Sequence, residues 1–421
     1  MTTHAPPDTC SDDAEEGNLV DSLSSTERRR LACAFACMVA IGHCQYSWTL
    51  FVGPLQTELH ATPAEVQLGF TYFVALQTTS VLCLGLLISV EHHRLALVGG
   101  SVCLLLALHG VAGASSLGAL YAYAALMGAA VGSIYNCAMV ISVSVPASRR
   151  GLAAGIVAAG YGSGTLPTIA AIEASIEMNG YALTLRTMAW SLSLVCLLAA
   201  SAMPSASNAT AATTAAARHR PQLHLAEAVR LPSFWLLYTM LVLVAFVGLV
   251  VTAQLKPMAD TYHVPAESVV IALQLDRVLN GLSRPLWGLL SDSIGRGTAL
   301  GLACGCQSVV LLVWSVQLDS PAAFVVCSGL STFSWGEIYS LFPALAADLY
   351  GTEHVSQTYG ALYTGKAVAS YLAGPIASSF ASLFSWELIV RIMAGASALD
   401  AYFALSLLGA VLQAERRSLL W

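Results

Sequence analysis

Twelve apolar stretches, six before a central linker and six after it, decide what this chain can become. They run at about 31–55, 63–90, 95–114, 117–145, 151–173 and 185–203, then 233–255, 266–291, 298–317, 321–349, 358–384 and 388–413. Each is of the order of the roughly 20 residues that a helix needs to cross a bilayer. Inside lipid every backbone N–H and C=O must be satisfied within the protein, so stretches of this length are helices. The expectation is an all-α membrane protein with 12 transmembrane helices in two six-helix pseudo-symmetric halves, 31–203 and 233–413, in contact with a lipid bilayer. Only 10% of residues are charged against 57% hydrophobic, which removes an ordinary soluble domain. Around the halves lie an acidic, polar tail (1–30), read as disordered and cytosolic, an Ala/Ser/Thr-rich linker (204–232) and a short C-terminal tail (414–421).

Arginines set the orientation. Arg28–Arg30, Arg94, Arg149, Arg150, the linker's Arg218 and Arg220, Arg296, Arg416 and Arg417 all fall on one side of this helix count. The other side carries Glu58, Glu65, Glu173, Glu177, Asp260 and Asp319. Both termini are therefore expected in the cytosol. Asn208-Ala209-Thr210 matches a glycosylation sequon, but on the cytosolic linker it would go unused. Ten of the eleven cysteines lie in or beside apolar helices, which points to buried free thiols rather than disulfides. Glu415, Leu419 and Leu420 match an acidic di-leucine sorting pattern at a level chance explains equally well. The plasma membrane is the expected location, with an organelle membrane as the alternative.

Lys366, one of only two lysines, sits in a run from Tyr359 to Phe384 that carries no other charge. A charge in the bilayer costs about 2.5–3.5 kcal/mol on insertion scales, so it normally faces a polar cavity or a partner. Arg284 lies in a second such run, with Asn280 one turn before it and Arg277 one turn earlier on the same face. Neither Arg284 nor Lys366 has an acid at helical spacing. Two cations near mid-membrane point to an anion that comes and goes. Arginine suits two-pronged carboxylate recognition and lysine acts as a point charge, so one of each can grip the two ends of a small dicarboxylate.

Polar aromatic and amide side chains recur at matching depths: Gln45, Tyr46, Gln67, Tyr135, Tyr161, Trp335, Tyr339 and Tyr363. Trp335–Tyr339 and Tyr363–Lys366 are helical neighbours, and such rings can wall an anion while their N–H or O–H donates to it. Core packing is the bland alternative. Asp276 and Glu337 are the intramembrane acids, each readable as a proton site or as the ion-pair partner of Arg277 or of a neighbouring helix. After the eighth stretch, Asp292 and Arg296 flank a glycine turn and are expected to clamp helix ends on the cytosolic face. The corresponding first-half loop, Ser89 to Arg94, lacks that pattern. The fifth and eleventh stretches echo each other in small residues and a Gly/Pro break, as internal repeats around a central substrate site do. Gly128–Gly132 and Gly151–Gly155 are spacings that let helices approach closely.

The strings QYSWTLFVGPLQ (45–56), RRGLAAGIVAAGYGSG (149–164), NGLSRPLWGLLSDSIGR (280–296), WGEIYSLFP (335–343) and YGALYTGKAVAS (359–370) resemble the major facilitator superfamily, and within it the oxalate/formate antiporter family. The resemblance spans the whole helical region. It implies that Arg284 and Lys366 bind substrate carboxylates, with Gln45, Tyr46, Gln67, Tyr135, Tyr161, Asn280, Trp335, Tyr339 and Tyr363 closing the cavity. It departs at Tyr363, where a larger indole is expected. The function expected is exchange of small carboxylate anions by alternating access, with a monomer as the working unit. A proton-coupled monocarboxylate (pyruvate or lactate) symporter using Asp276 or Glu337 is the second reading, and a non-transporting receptor or scaffold the third. No nucleophile–base set, phosphate loop, metal-ligand cluster, cofactor motif or nucleic-acid-binding pattern supports an enzyme or a nucleic-acid partner.

Overall fold

A computed structural model describes residues 23–87, 92–204, 222–373 and 377–418, and among them the regular structure is helical with no strand. The first 22 residues lie outside the described residues. So do Ser89 to Glu91 of the first-half loop, Arg218, Arg220, the Asn208 sequon, Leu419 and Leu420.

The first set of helices is α1 (Ser25–Tyr46), α2 (Trp48–Leu59), α3 (Pro63–Leu87), α4 (His93–Ala112), α5 (Leu117–Val143), α6 (Arg150–Ser163), α7 (Ile169–Asn179) and α8 (Tyr181–Ala202). After the short α9 (Leu225–Ala228) come α10 (Pro232–Thr261), α11 (Ala266–Ile294), α12 (Arg296–Trp314), α13 (Pro321–Trp335) and α14 (Ile338–Tyr350). The chain ends in α15 (Val355–Tyr363), α16 (Gly365–Tyr371), α17 (Ala377–Leu383), α18 (Trp386–Tyr402) and, after a π turn at Phe403–Leu407, α19 (Leu408–Ser418).

Local chemistry explains where these begin and turn. Ser24 and Glu27 form a reciprocal capping box, so α1 starts before the arginine triplet and takes Arg28–Arg30 out of the expected tail. Thr62 and Glu65 do the same at the start of α3. Gly180, at φ 79°, and Gly295 and Gly351, at φ 92° and 93°, adopt left-handed backbone at the corners after α7, α11 and α14, where a side chain would be strained. All ten cysteines among the described residues are free thiols.

Among the described residues seven helices are long and apolar enough to cross a membrane, or eight if α1 and α2, bent by 43°, form one span. The expected stretches 151–173, 321–349 and 358–384 are instead interrupted. The first breaks into α6 and α7 ahead of Pro167, which lacks an N–H. The second breaks at Gly336, where the chain runs against Ser283 so closely that no Cβ fits. The third breaks at Thr364. Stretch 266–291 is a continuous α11 that carries Glu267, Asp276, Arg277 and Arg284 along its length. Those four stretches carry Tyr161, Arg284, Trp335, Tyr339, Tyr363 and Lys366 of the site described below.

Helices α1–α8 pack chiefly on one another, as do α10–α19, and the sets meet where α6 crosses α11 and α14, where α3 crosses α15 and where α5 crosses α14 and α15. A broad outer belt of exposed apolar side chains, such as Trp190, Leu198, Val309 and Leu312, leaves a surface fit for lipid. The α6–α11 seam is set by glycine. A Cβ on Gly155 would lie 2.7 Å from the Arg284 carbonyl carbon and from Pro285 Cα, with backbone that cannot yield. Gly155→Leu is therefore expected to wedge α6 off α11, costing about 1–3 kcal/mol from overpacking. A thermal melt should fall and transport should be lost; an unchanged melt would show that the seam tolerates a side chain.

Candidate functional site

Helix α11 places Asp276, Arg277, Asn280 and Arg284 along its inner face. Arg284 is fully buried, at 0% exposure. Its Nε and Nη2 donate to Asn280 Oδ1 at 3.1 and 2.5 Å, and its Nη1 donates to the Ala158 carbonyl of α6 at 2.6 Å. Its Cζ stands 4.1 Å from the centroid of the Tyr339 ring of α14, a cation–π contact. Gly162 on α6 leaves the room: a Cβ there would sit 2.8 Å from Arg284 Cζ.

Lys366 approaches the same ring from α16. Its Nζ is 5.7 Å from the Tyr339 centroid, 5.3 Å from that of Tyr363, and donates to Tyr363 Oη at 3.1 Å. Only 3% of Lys366 is exposed. Among the described residues neither cation meets a carboxylate. Two like charges thus share one aromatic ring inside the protein, offset only by neutral oxygens and π faces.

Tyrosines complete the wall from both halves. Tyr135 stacks on Tyr363 at 5.2 Å and meets Tyr161 edge-on at 5.6 Å, and Tyr161 meets Tyr46 at 5.7 Å. Tyr161 Oη donates to Gln45 Oε1 and accepts from Gln77 Nε2, both at 2.7 Å. Trp335, beside the α13–α14 break, stands edge-on to Tyr339 at 5.5 Å, and its buried indole N–H has no acceptor among the described residues. Of the expected lining residues, Gln45, Tyr46, Tyr135, Tyr161, Asn280, Arg284, Trp335, Tyr339, Tyr363 and Lys366 come together.

Gln67 does not join them: it is exposed and accepts from Trp48 Nε1 at 3.3 Å. The amide that reaches the tyrosines is the fully buried Gln77, about 15 Å further along α3 at 1.5 Å per residue. Its position in the middle of the apolar run, against Gln67 near its start, is the signal that separates them. Tyr359, whose Oη is 3.4 Å from that of Tyr135, also belongs to the wall and carries no mark in the sequence beyond its spacing from Tyr363.

Of the intramembrane acids, Asp276 lies within electrostatic reach of Arg277, while Glu337 faces a thiol instead. Arg277 lies over the Tyr46 ring at 4.8 Å, a cation–π contact between the two helix sets. Asp276 is buried, with Oδ1 unpartnered among the described residues. Glu337 is not placed against Arg277, because the Gly336 break turns it behind α14, where Oε1 faces the Cys304 thiol at 3.9 Å.

Asp292 and Arg296 pair with each other at the linker end. Asp292 accepts from the N–H groups of Gly151 and Leu152 at 3.0 and 2.8 Å, at the positive end of α6. Arg296 pairs with Asp292, and its Nε donates to Asp348 Oδ2 at 3.1 Å. Arg150 pairs with the other oxygen of Asp348. Arg150 and Asp348 were not among the expected clamp residues, since Arg150 reads in sequence only as a cytosolic positive charge. Nearby, Asn136 donates to the Val81 carbonyl at 2.9 Å and accepts from Ser356 at 3.1 Å, tying α5, α3 and α15.

The family model described as Major Facilitator Superfamily matches residues 31–370 and 278–418. The oxalate:formate antiporter of Oxalobacter formigenes is 30% identical over 358 residues, 85% of each chain. An uncharacterised MFS-type transporter of Escherichia coli (strain K12) is 25% identical over 340 residues, covering 77% of this chain and 81% of its own. The solved structure of the proton:xylose symporter XylE bound to 6-bromo-6-deoxy-D-glucose superposes with a TM-score of 0.70 over 90% of this chain and 95% of that one. At 13% identity that match speaks for the fold alone.

Proposed function

Since the chain belongs to the major facilitator superfamily and is a membrane transporter of that group, we propose that it exchanges small carboxylate anions by alternating access, with oxalate/formate-type exchange as the specific activity. The observation that carries the reading is the pair Arg284 and Lys366, buried on one Tyr339 ring with no carboxylate of the described residues against either. A dianion supplies the missing charge at both ends, and the Tyr135, Tyr161 and Trp335 wall excludes water around it. The similarity to an oxalate:formate antiporter supports the same substrate class. The full arrangement proposed is twelve spans in halves 31–203 and 233–413, both termini cytosolic, working as a monomer in the plasma membrane.

The gate supports alternating access. The Asp292–Arg296–Asp348–Arg150 network holds the halves together at the linker end, and its release opens the site to that side. With the site empty, the two cations must pass through a closed state bare, where like-charge repulsion adds to desolvation. A bound anion neutralises them, so the loaded carrier turns over faster than the empty one.

Counterflow tests this. Purified protein in liposomes, loaded in turn with unlabelled oxalate, formate, pyruvate or lactate, is presented with the labelled anion at matched pH. Trans-acceleration by at least one of them, with none by the neutral sugar xylose, is the expected result. Acceleration by none of the four, or equal efflux into substrate-free buffer, would refute carboxylate exchange.

A further inference from the structure

The linker is pinned down where it re-enters the fold. Leu223 donates its backbone N–H to the Tyr350 carbonyl at 2.9 Å, and the Glu353 N–H donates to Gln222 Oε1 at 3.0 Å. These two bonds lay residues 222–224 against the corner after α14, where Gly351 turns the chain at φ 93°. There the imidazole of His224, just before α9, stacks on that of His354, just before α15. The ring centroids are 3.8 Å apart and the planes are 29° from parallel. His224 is exposed and His354 half-buried, so water reaches the pair. Neither ring belongs to the carboxylate wall.

A stack this close suits neutral rings, whereas two imidazolium rings at the same spacing repel each other. Histidine changes charge between about pH 5 and pH 8, so this contact is sensitive to mild acid. Among the described residues the titratable groups within electrostatic reach of His354 are His224, Glu227 of α9 and Glu353 of the corner. Glu227 is already engaged, accepting from the His224 backbone N–H at 2.9 Å. Burial and the His224 ring hold His354 below the usual imidazole range, against the pull of the two acids. The docked segment therefore favours the neutral ring. Its hold is complete above the ordinary imidazole value of about 6.5 and is lost as pH falls below it.

What the stack holds adjoins the gate. Asp348, which joins Arg150 to Arg296, sits on the last turn of α14, two residues before Tyr350. The Tyr350 hydroxyl in turn lies 3.2 Å from that of Ser233, at the start of α10. The corner that receives the linker and the turn that carries the gate are thus one continuous piece of chain.

We propose that the His224–His354 stack is an acid-sensitive latch. With the rings neutral it pins the linker to the corner after α14 and steadies the gate; when both rings take up protons they part, the linker lifts away and the linker-side gate opens more readily. The protons enter and leave on the linker side, so none is carried across the membrane. The coupling to the gate rests on the alternating-access reading above; the latch itself does not.

Distances between paired spin labels, measured in lipid nanodiscs in a cysteine-free background, test both parts. Labels on Ala226→Cys and Thr352→Cys span the latch. Labels on Ser148→Cys and Ser293→Cys span the gate, where Arg296 of one half donates to the Ala147 carbonyl of the other at 3.0 Å. From about pH 7.5 to about pH 5.5, across the range in which histidine titrates, the latch pair should gain a second, longer distance. The ratio of long to short should rise by up to about tenfold per pH unit for each proton taken up, and the gate pair should lengthen with it. His224→Phe combined with His354→Phe keeps two stacked rings that cannot titrate, so both label pairs should stay short at the acid end. A latch distance that does not change in the wild type, or that lengthens equally in the double phenylalanine variant, overturns the latch. A latch that opens while the gate pair stays short overturns its hold on the gate. No anion is added, so the result stands apart from the fate of the carboxylate reading.

Discussion

Lys366→Gln is expected to bring oxalate counterflow down to the level of protein-free vesicles. The ammonium supplies one end of the proposed clamp, and among the described residues it donates to Tyr363 Oη. A charge-assisted bond contributes about 1.5–3 kcal/mol, which is roughly a ten- to hundred-fold loss in affinity for each bond removed. The loss is larger when the closed state must also form around an uncompensated anion. Lys366→Arg keeps the charge but must fit a planar fork between the Tyr339 and Tyr363 rings, so partial activity is expected. A monocarboxylate held at Arg284 alone should suffer less than oxalate. Folding is not at stake, because the substitution removes one of two like charges on a shared ring, and the thermal melt should hold or rise. Oxalate exchange at the wild-type rate in Lys366→Gln would eliminate the two-ended clamp.

Asp348→Asn is expected to release the linker-side gate. Asp348 bonds Arg150 from one half and Arg296 from the other, and the three side chains are 20%, 6% and 10% exposed. Removing one partner of such a buried network leaves uncompensated charge and costs about 3–5 kcal/mol. That cost falls on the state in which the halves touch, so the population should shift toward the linker-side-open state by a factor of at least roughly a hundred. Ser356 reports it, since its hydroxyl is buried against Asn136 while the halves are together. In a cysteine-free background, Ser356→Cys should react slowly with a membrane-impermeant maleimide from the linker side. Adding Asp348→Asn should raise the labelling rate on the order of the same hundredfold. Equal rates would mean that the glycine seam of α6 and α11, rather than the ion network, holds the gate shut.

How far the sequence carries this protein depends on the kind of signal. The apolar runs, the arginine asymmetry and the two cations without local acids are read along one dimension, because lipid imposes length and polarity on each helix separately. They yield the helical class and the pair Arg284 and Lys366 at the heart of the candidate site. Tyr363–Lys366 and Trp335–Tyr339 are also legible, since three- and four-residue spacings fix which side chains share a helix face. The family resemblance adds Gln45, Tyr46, Tyr135 and Tyr161 to the wall, but neither Gln77 nor Tyr359.

Pairing across helices is another matter. Gln77 rather than Gln67 reaches Tyr161, and nothing in the local composition of α3 chooses between them except depth. Arg150 and Asp348 are 198 positions apart, and only the crossing of the two halves brings them together. Glu337 faces Cys304 and lies within reach of Asp400 because the break at Gly336 turns it away from the cations. The sequence by itself determined a helical membrane protein with two unpaired cations at depth, since burial in lipid acts on each segment alone. Only the tertiary structure decided which polar groups meet, because each buried charge or amide is satisfied by whichever helix the packing of small residues brings against it.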